Sequence, residues 1–165
     1  MKAVDFVKLS IETSSAWIMG LAEDAKSLPL QRPTSNGGNH PLWILGHLAY
    51  SEGNLVQEWC KGEANPLADW AEIFGMGSQP SDDASAYPPI DEVFEKLVQI
   101  RASTISYVES LTDDGLDQPS HAGEGAKEWF PTVGHCLAAV ANHFCFHGGQ
   151  LADARRAGGR DVLMG

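Results

Sequence analysis

Basic residues are scarce in this chain. Of 165 residues, 11 are lysine or arginine against 22 aspartate or glutamate, a formal net charge of −11. Nucleic acids and anionic membrane surfaces need a basic face opposite them, so neither is expected as a partner. Cysteine is nearly as rare. Cys60, Cys136 and Cys145 are odd in number and never in CxxC spacing, which predicts reduced thiols and a cytoplasmic setting. Apolar runs are short: none approaches the roughly 20 residues of a membrane span. The opening "MKAVDFVKLSIETSSAWIMGLAE" carries Asp5, Lys8 and Glu12 where a signal peptide needs an unbroken apolar stretch. No segment reads as a strand, no internal repeat is visible, and no stretch is of low complexity. The remaining composition, 43% apolar and 20% charged, is ordinary for a globular chain. Its length suits one domain over residues 1–165 with a single core.

Four segments carry helical periodicity. The first is expected from about Val4 to Leu28, with Phe6, Leu9, Thr13, Trp17 and Leu21 on its buried face, ended by the proline- and glycine-rich "LPLQRPTSNGGN". The second is expected to start with Asn39 as N-cap and Pro41 in its first turn, and to stop at Lys61-Gly62. Gly46 and Gly53 lie inside it at a cost of about 1 kcal/mol each relative to alanine, which predicts close helix approach or room for a site. Residues 63–89 form a long connection with a short helix around "PLADWAEIFG" and a polar, mobile "MGSQPSDDASAYPP". Trp70, Phe74 and Met76 would let that connection close as a lid; a crossover packed on the outside of the bundle is the alternative. The third helix is expected over about Ile90 to Leu111, the fourth from Thr132 to about Ala157, with Arg155-Arg156 and Gly158-Gly159 as its stop. These elements predict an all-α fold, a four-helix bundle with a long crossover between helices 2 and 3.

The stretch "NHFCFHGGQL" sets His143 and His147 four residues apart, about 40° around a helix, on a face shared with Cys136, Val140, Gln150 and Ala154. Two imidazoles one turn apart can reach one metal ion, or can be hydrogen-bonded core residues. His47 in "HPLWILGHLAYSEGN" is flanked at helical spacing by Trp43, Ile44, Ser51 and Asn54, so it too is expected to face inward. Three histidines from two helices of one bundle could share an ion and leave a fourth position open.

The segments "NHPLWILGHLA" and "HFCFHGGQLADARRAGG", with "WFPTVGHCLAAVANH" leading into the second of them, resemble the DinB/YfiT-like superfamily of four-helix bundles, unrelated to the DNA polymerase of similar name. The resemblance covers nearly the whole chain. It implies a divalent metal, commonly nickel or zinc, held by His47, His143 and His147, and it implies a homodimer. Characterised enzymes of that superfamily transfer or isomerise groups with a low-molecular-weight thiol on the metal, and many members have no known activity.

Around this expected centre the remaining candidates are weak. Gln150 could orient a water, anchor a ligand, or simply end the buried stripe. Glu52 could reach the rim as a general base. Arg155, Arg156 and Arg160 could hold an anionic group or complement the helix dipole. His135 is a rim candidate and His121 is expected in solvent, while Cys136 and Cys145 are expected as small buried side chains. Two functions follow: a metal-dependent, thiol-linked transferase or hydrolase of a small molecule, or a non-catalytic dimeric module with a structural or sensory metal. A haem carried on one histidine would leave the other two without a role.

Overall fold

The computed structural model describes residues 1–34 and 37–163. Ser35 and Asn36, within the expected break after the first helix, lie outside the described residues, as do the last two residues. The chain is an all-helical bundle. Its long elements are α1 (Ala3–Ala25), α2 (Pro41–Gly53) continued by a π-helical segment (Asn54–Cys60), α4 (Ile90–Ser110) and α7 (Val133–Ala157). Short helices α3 (Ala71–Phe74), α5 (Asp113–Leu116) and α6 (Glu124–Lys127) occupy the connections. Helix α1 packs mainly on α7 and α2 mainly on α4, and contacts of α1 with α4 and of α2 with α7 close the bundle. Among the described residues no helix is long and apolar enough to cross a membrane.

The expected stop signals are in place. Gly62 and Gly159 take positive φ of 70° and 80° just beyond their helices, a conformation that costs a side-chain-bearing residue more. The start of α2 differs by one residue. His40, fully buried, is the N-cap: its Nδ1 accepts from the Trp43 amide at 3.1 Å while its Nε2 donates to the Ser81 carbonyl at 2.8 Å. Asn39 reaches instead to Gln150 on α7.

Of the expected inner face of α1, Leu21 is buried and Thr13 half-buried, but the other three residues are exposed. Ile11, Ser14, Ile18, Leu21, Ala22 and Ala25 are buried, while Phe6, Leu9 and Trp17 stay 62%, 48% and 55% exposed. Helix α1 is apolar on two faces, and only one of them meets α7 and α4.

The 63–89 connection packs its short helix into the core of the bundle. Phe74 is fully buried in the core beside Trp70 and Tyr87, and Arg32 binds the Pro80 carbonyl and the Asp82 carboxylate. Trp43 Nε1 donates to Ser78 Oγ at 3.0 Å, and the Tyr87 hydroxyl accepts from the Ser81 amide at 2.6 Å. A side chain grown from Gly46 would run into the Phe74 ring, so α2 carries glycine there to let this wall close upon it.

Candidate metal centre

His47 projects from the middle of α2, and His143 and His147 from successive turns of α7. His147 is buried and the other two are half-buried. The Nε2 atom of His143 lies 3.2 Å from that of His47 and 3.0 Å from that of His147. The three rings thus offer one ligand atom each, all within 4.8 Å of one another. Two nitrogens bound to one ion at about 2.0–2.1 Å are separated by roughly 2.9 Å at a right angle and roughly 3.3 Å at the tetrahedral angle. Both short distances fall between these limits.

The tautomers sharpen the fit. His47 Nδ1 donates to the Phe74 carbonyl at 2.7 Å, and His147 Nδ1 donates to Gln150 Oε1 at 3.0 Å. Gln150 Oε1 also accepts from Asn39 Nδ2 at 3.2 Å, which sets the orientation of its carboxamide. With the proton of each neutral ring held at Nδ1, both Nε2 atoms turn bare lone pairs towards His143. His143 Nε2 can carry one proton at most, so hydrogen bonding satisfies only one of those two contacts. A cation satisfies all three lone pairs together. The donor set fits a divalent metal, with outer-shell acceptors of the kind that fix ligating imidazoles.

Burial keeps these rings neutral. His143 is pushed down to about 3 by desolvation and then by the neighbouring charges of His147 and His47. His147 is pushed down to about 4 by desolvation, then by His47, against the opposing Gln150 bond. His47 is lowered by desolvation too, partly offset by its bond to the Phe74 backbone. Neutral imidazole is the ligating form. Trp43 stacks on His47 with centroids 4.5 Å apart and planes 10° apart, covering one face of that ring.

The other candidates fall elsewhere. Glu52 does not reach the rim. It is buried against α4, with its Oε2 2.8 Å from Arg101 Nη2, and burial raises its pKa against the pull of that guanidinium. Gln150 acts on His147 rather than reaching past it. Arg155 is buried and joins α7 to α1 through Asp24 at 2.7 Å, and Arg160 approaches the same carboxylate at 3.8 Å, so these cations are engaged in packing. Cys136 is buried as expected, but Cys145 is exposed. His135 is exposed and bonded to Thr132, and exposed His121 lies against Gly62. Neither the Phe74 carbonyl nor Asn39 is legible in the sequence as part of the centre; the glycine at 46 is a trace of the Phe74 contact, and Asn39 leaves none.

A trough of about 230 Å³ opens on His47 and His143. Tyr50, Ser51 and Asn54 line one side, Ala139 the other, and Met76 overhangs it. Beyond the two imidazoles, no aspartate, glutamate, lysine or arginine is among the described residues that line it.

Residues 16–151 match the family model of the DinB superfamily, and the chain belongs to that superfamily. No curated protein matches the chain. Membership and the three-histidine cluster together fit a metal-binding protein.

Proposed function

We propose that this member of the DinB superfamily holds one divalent ion, nickel or zinc, on His47, His143 and His147. It uses that ion to act on a small molecule as a transferase or hydrolase, with a low-molecular-weight thiol as cosubstrate. The observation that carries the reading is the convergence of three Nε2 atoms at the inner end of an open trough, two of them with their lone pairs held in place by Phe74 and Gln150. Three protein ligands leave a coordination position to face that opening. When bound, the ion supplies Lewis acidity and lowers the pKa of a thiol or water beside it. The chain's own part is to keep the rings neutral, to fix their tautomers, and to offer the Ser51 hydroxyl and Asn54 carboxamide as hydrogen-bonding groups. The free cysteines fit a reducing, cytoplasmic compartment.

One observation favours the second reading, a non-catalytic dimeric module with a structural or sensory metal. No carboxylate or amine lines the trough, and Glu52 is turned away from it, so the chain supplies no evident proton acceptor. The exposed apolar face of α1, with Phe6, Leu9 and Trp17, supports a homodimer under either reading.

His143→Ala separates the two. An enzyme loses metal and turnover and keeps its fold, because the centre lies beside a core that packs without it. A structural metal takes a large share of thermal stability with it. Full metal occupancy in His143→Ala would contradict both readings.

A further inference from the structure

The trough has a chemical character of its own. Tyr50, Ser51, Asn54 and Leu55 follow His47 along one side of α2 and its π-helical continuation, at helical spacing. The π segment widens the helix where α2 would otherwise run on, and Trp59 remains on the trough side while Glu58 stays in solvent. At the end away from the histidines, the Trp59 and Phe130 rings stand with centroids 5.0 Å apart and planes tilted by 48°. Leu55 and Ala139 form the surface between. Met76, 93% exposed, is an unbranched side chain able to adapt over whatever enters.

We infer that the molecule brought to the histidine centre is uncharged and ring-bearing, with one or two rings seated against Trp59 and Phe130 and a polar atom directed back towards His47 and His143. Only that direction rests on the metal reading above; the seating of the rings does not. Size supports it, since a dry cavity of about 150 Å³ admits benzene, and a trough of about 230 Å³ has room for one or two rings. Charge supports it as well. At the Trp59–Phe130 end, away from the histidines, a carboxylate or phosphate would lose water without meeting a cationic side chain, because Arg101 is tied to Glu52 in the core and Lys61 to Gln57 and Glu63. The net charge of −11 repels anions further. The polar atoms that remain, on Tyr50, Ser51 and Asn54, suit a hydroxyl, carbonyl or thiol.

Indole and indole-3-carboxylate are the probes. Both are titrated into the full metal-free chain, because a carboxylate could ligate zinc and mask the preference of the trough. Phe130→Ala removes one wall and Ala139→Leu fills the space; thermal melting checks that each variant is folded. Indole should bind about tenfold tighter than the carboxylate, and each folded variant should weaken indole about tenfold while still taking up zinc. Equal or tighter carboxylate binding, no indole binding, or indole binding indifferent to both variants would overturn the inference. The preference in the unmodified chain decides even where a variant fails to fold. Failure of zinc to bind while indole still occupies the trough would sink the metal reading and leave this assignment standing.

Discussion

Helix α2 carries two polar islands into the same core, five residues apart. Glu52 faces α4 and meets Arg101 in a sealed ion pair, with the guanidinium also lying 3.6 Å over the Phe144 ring. His47 faces α7 and meets two further imidazoles beside an open trough. Both islands are desolvated, and both shift the pKa values of their members. They differ in charge balance and access. The Glu52–Arg101 pair supplies its own counter-charge and has no route in from solvent. The histidine island converges lone pairs of one kind, lacks a counter-charge, and opens outward. Burial of titratable groups therefore does not mark a site by itself; unbalanced donors beside an entrance do.

The largest effect should come from unbalancing the sealed island. Arg101→Ala leaves a buried carboxylate without its partner and should cost about 3–5 kcal/mol in chemical unfolding. Replacing both residues, as in Glu52→Leu with Arg101→Met, should recover most of that loss. Zinc stoichiometry should be unchanged in the double variant, because the two islands are separate.

A smaller effect is expected at the wall between the open island and its support. Gly46→Ala puts a methyl group into the Phe74 ring and should destabilise by about 1–3 kcal/mol. It should weaken zinc binding too, since the Phe74 carbonyl that holds His47 must shift. Gln150→Leu removes the acceptor of His147 Nδ1 and of Asn39 Nδ2 and leaves the Phe74 wall in place. Calorimetric titration should show zinc affinity reduced about tenfold or more, with the melting temperature nearly constant.

The subtlest contrast is in pH. The folded values of His143 and His147 lie below the ordinary histidine value of 6.5, at about 3 and about 4. Below pH 6.5 the unfolded chain binds protons that the folded chain refuses. The contribution of these groups is thus undiminished above 6.5 and is lost progressively as pH falls towards the folded values. The metal-free protein should lose stability over that window, and His143→Ala should lose less. An equal loss in both proteins would show that other groups carry the acid sensitivity.

Much of the architecture could be read in advance because its signals are local. Helix ends follow from Lys61-Gly62 and Gly158-Gly159, and the histidine register follows from helical spacing within α7 and from the Trp43–His47 stripe. Long-range choices could not be read. Phe6, Leu9 and Trp17 have the same spacing as the face of α1 that is buried, and only the position of α7 and α4 decides between them. Glu52 lies one residue beyond Ser51, which lines the trough, yet that single step turns it towards α4. The 63–89 connection reads as a short helix and a polar tail with no stated docking place, but Phe74 fills the space left by Gly46 and its carbonyl orients His47. That contact spans 27 residues, and no periodicity records it.

The most direct test of the account is elemental analysis of untagged protein, purified without chelator or nickel resin, beside His47→Ala prepared in the same way. The account predicts about one divalent ion per chain in the unmodified protein and close to none in the variant. Equal metal content in the two proteins, or an unmodified chain that takes up neither zinc nor nickel when these are added, would contradict it.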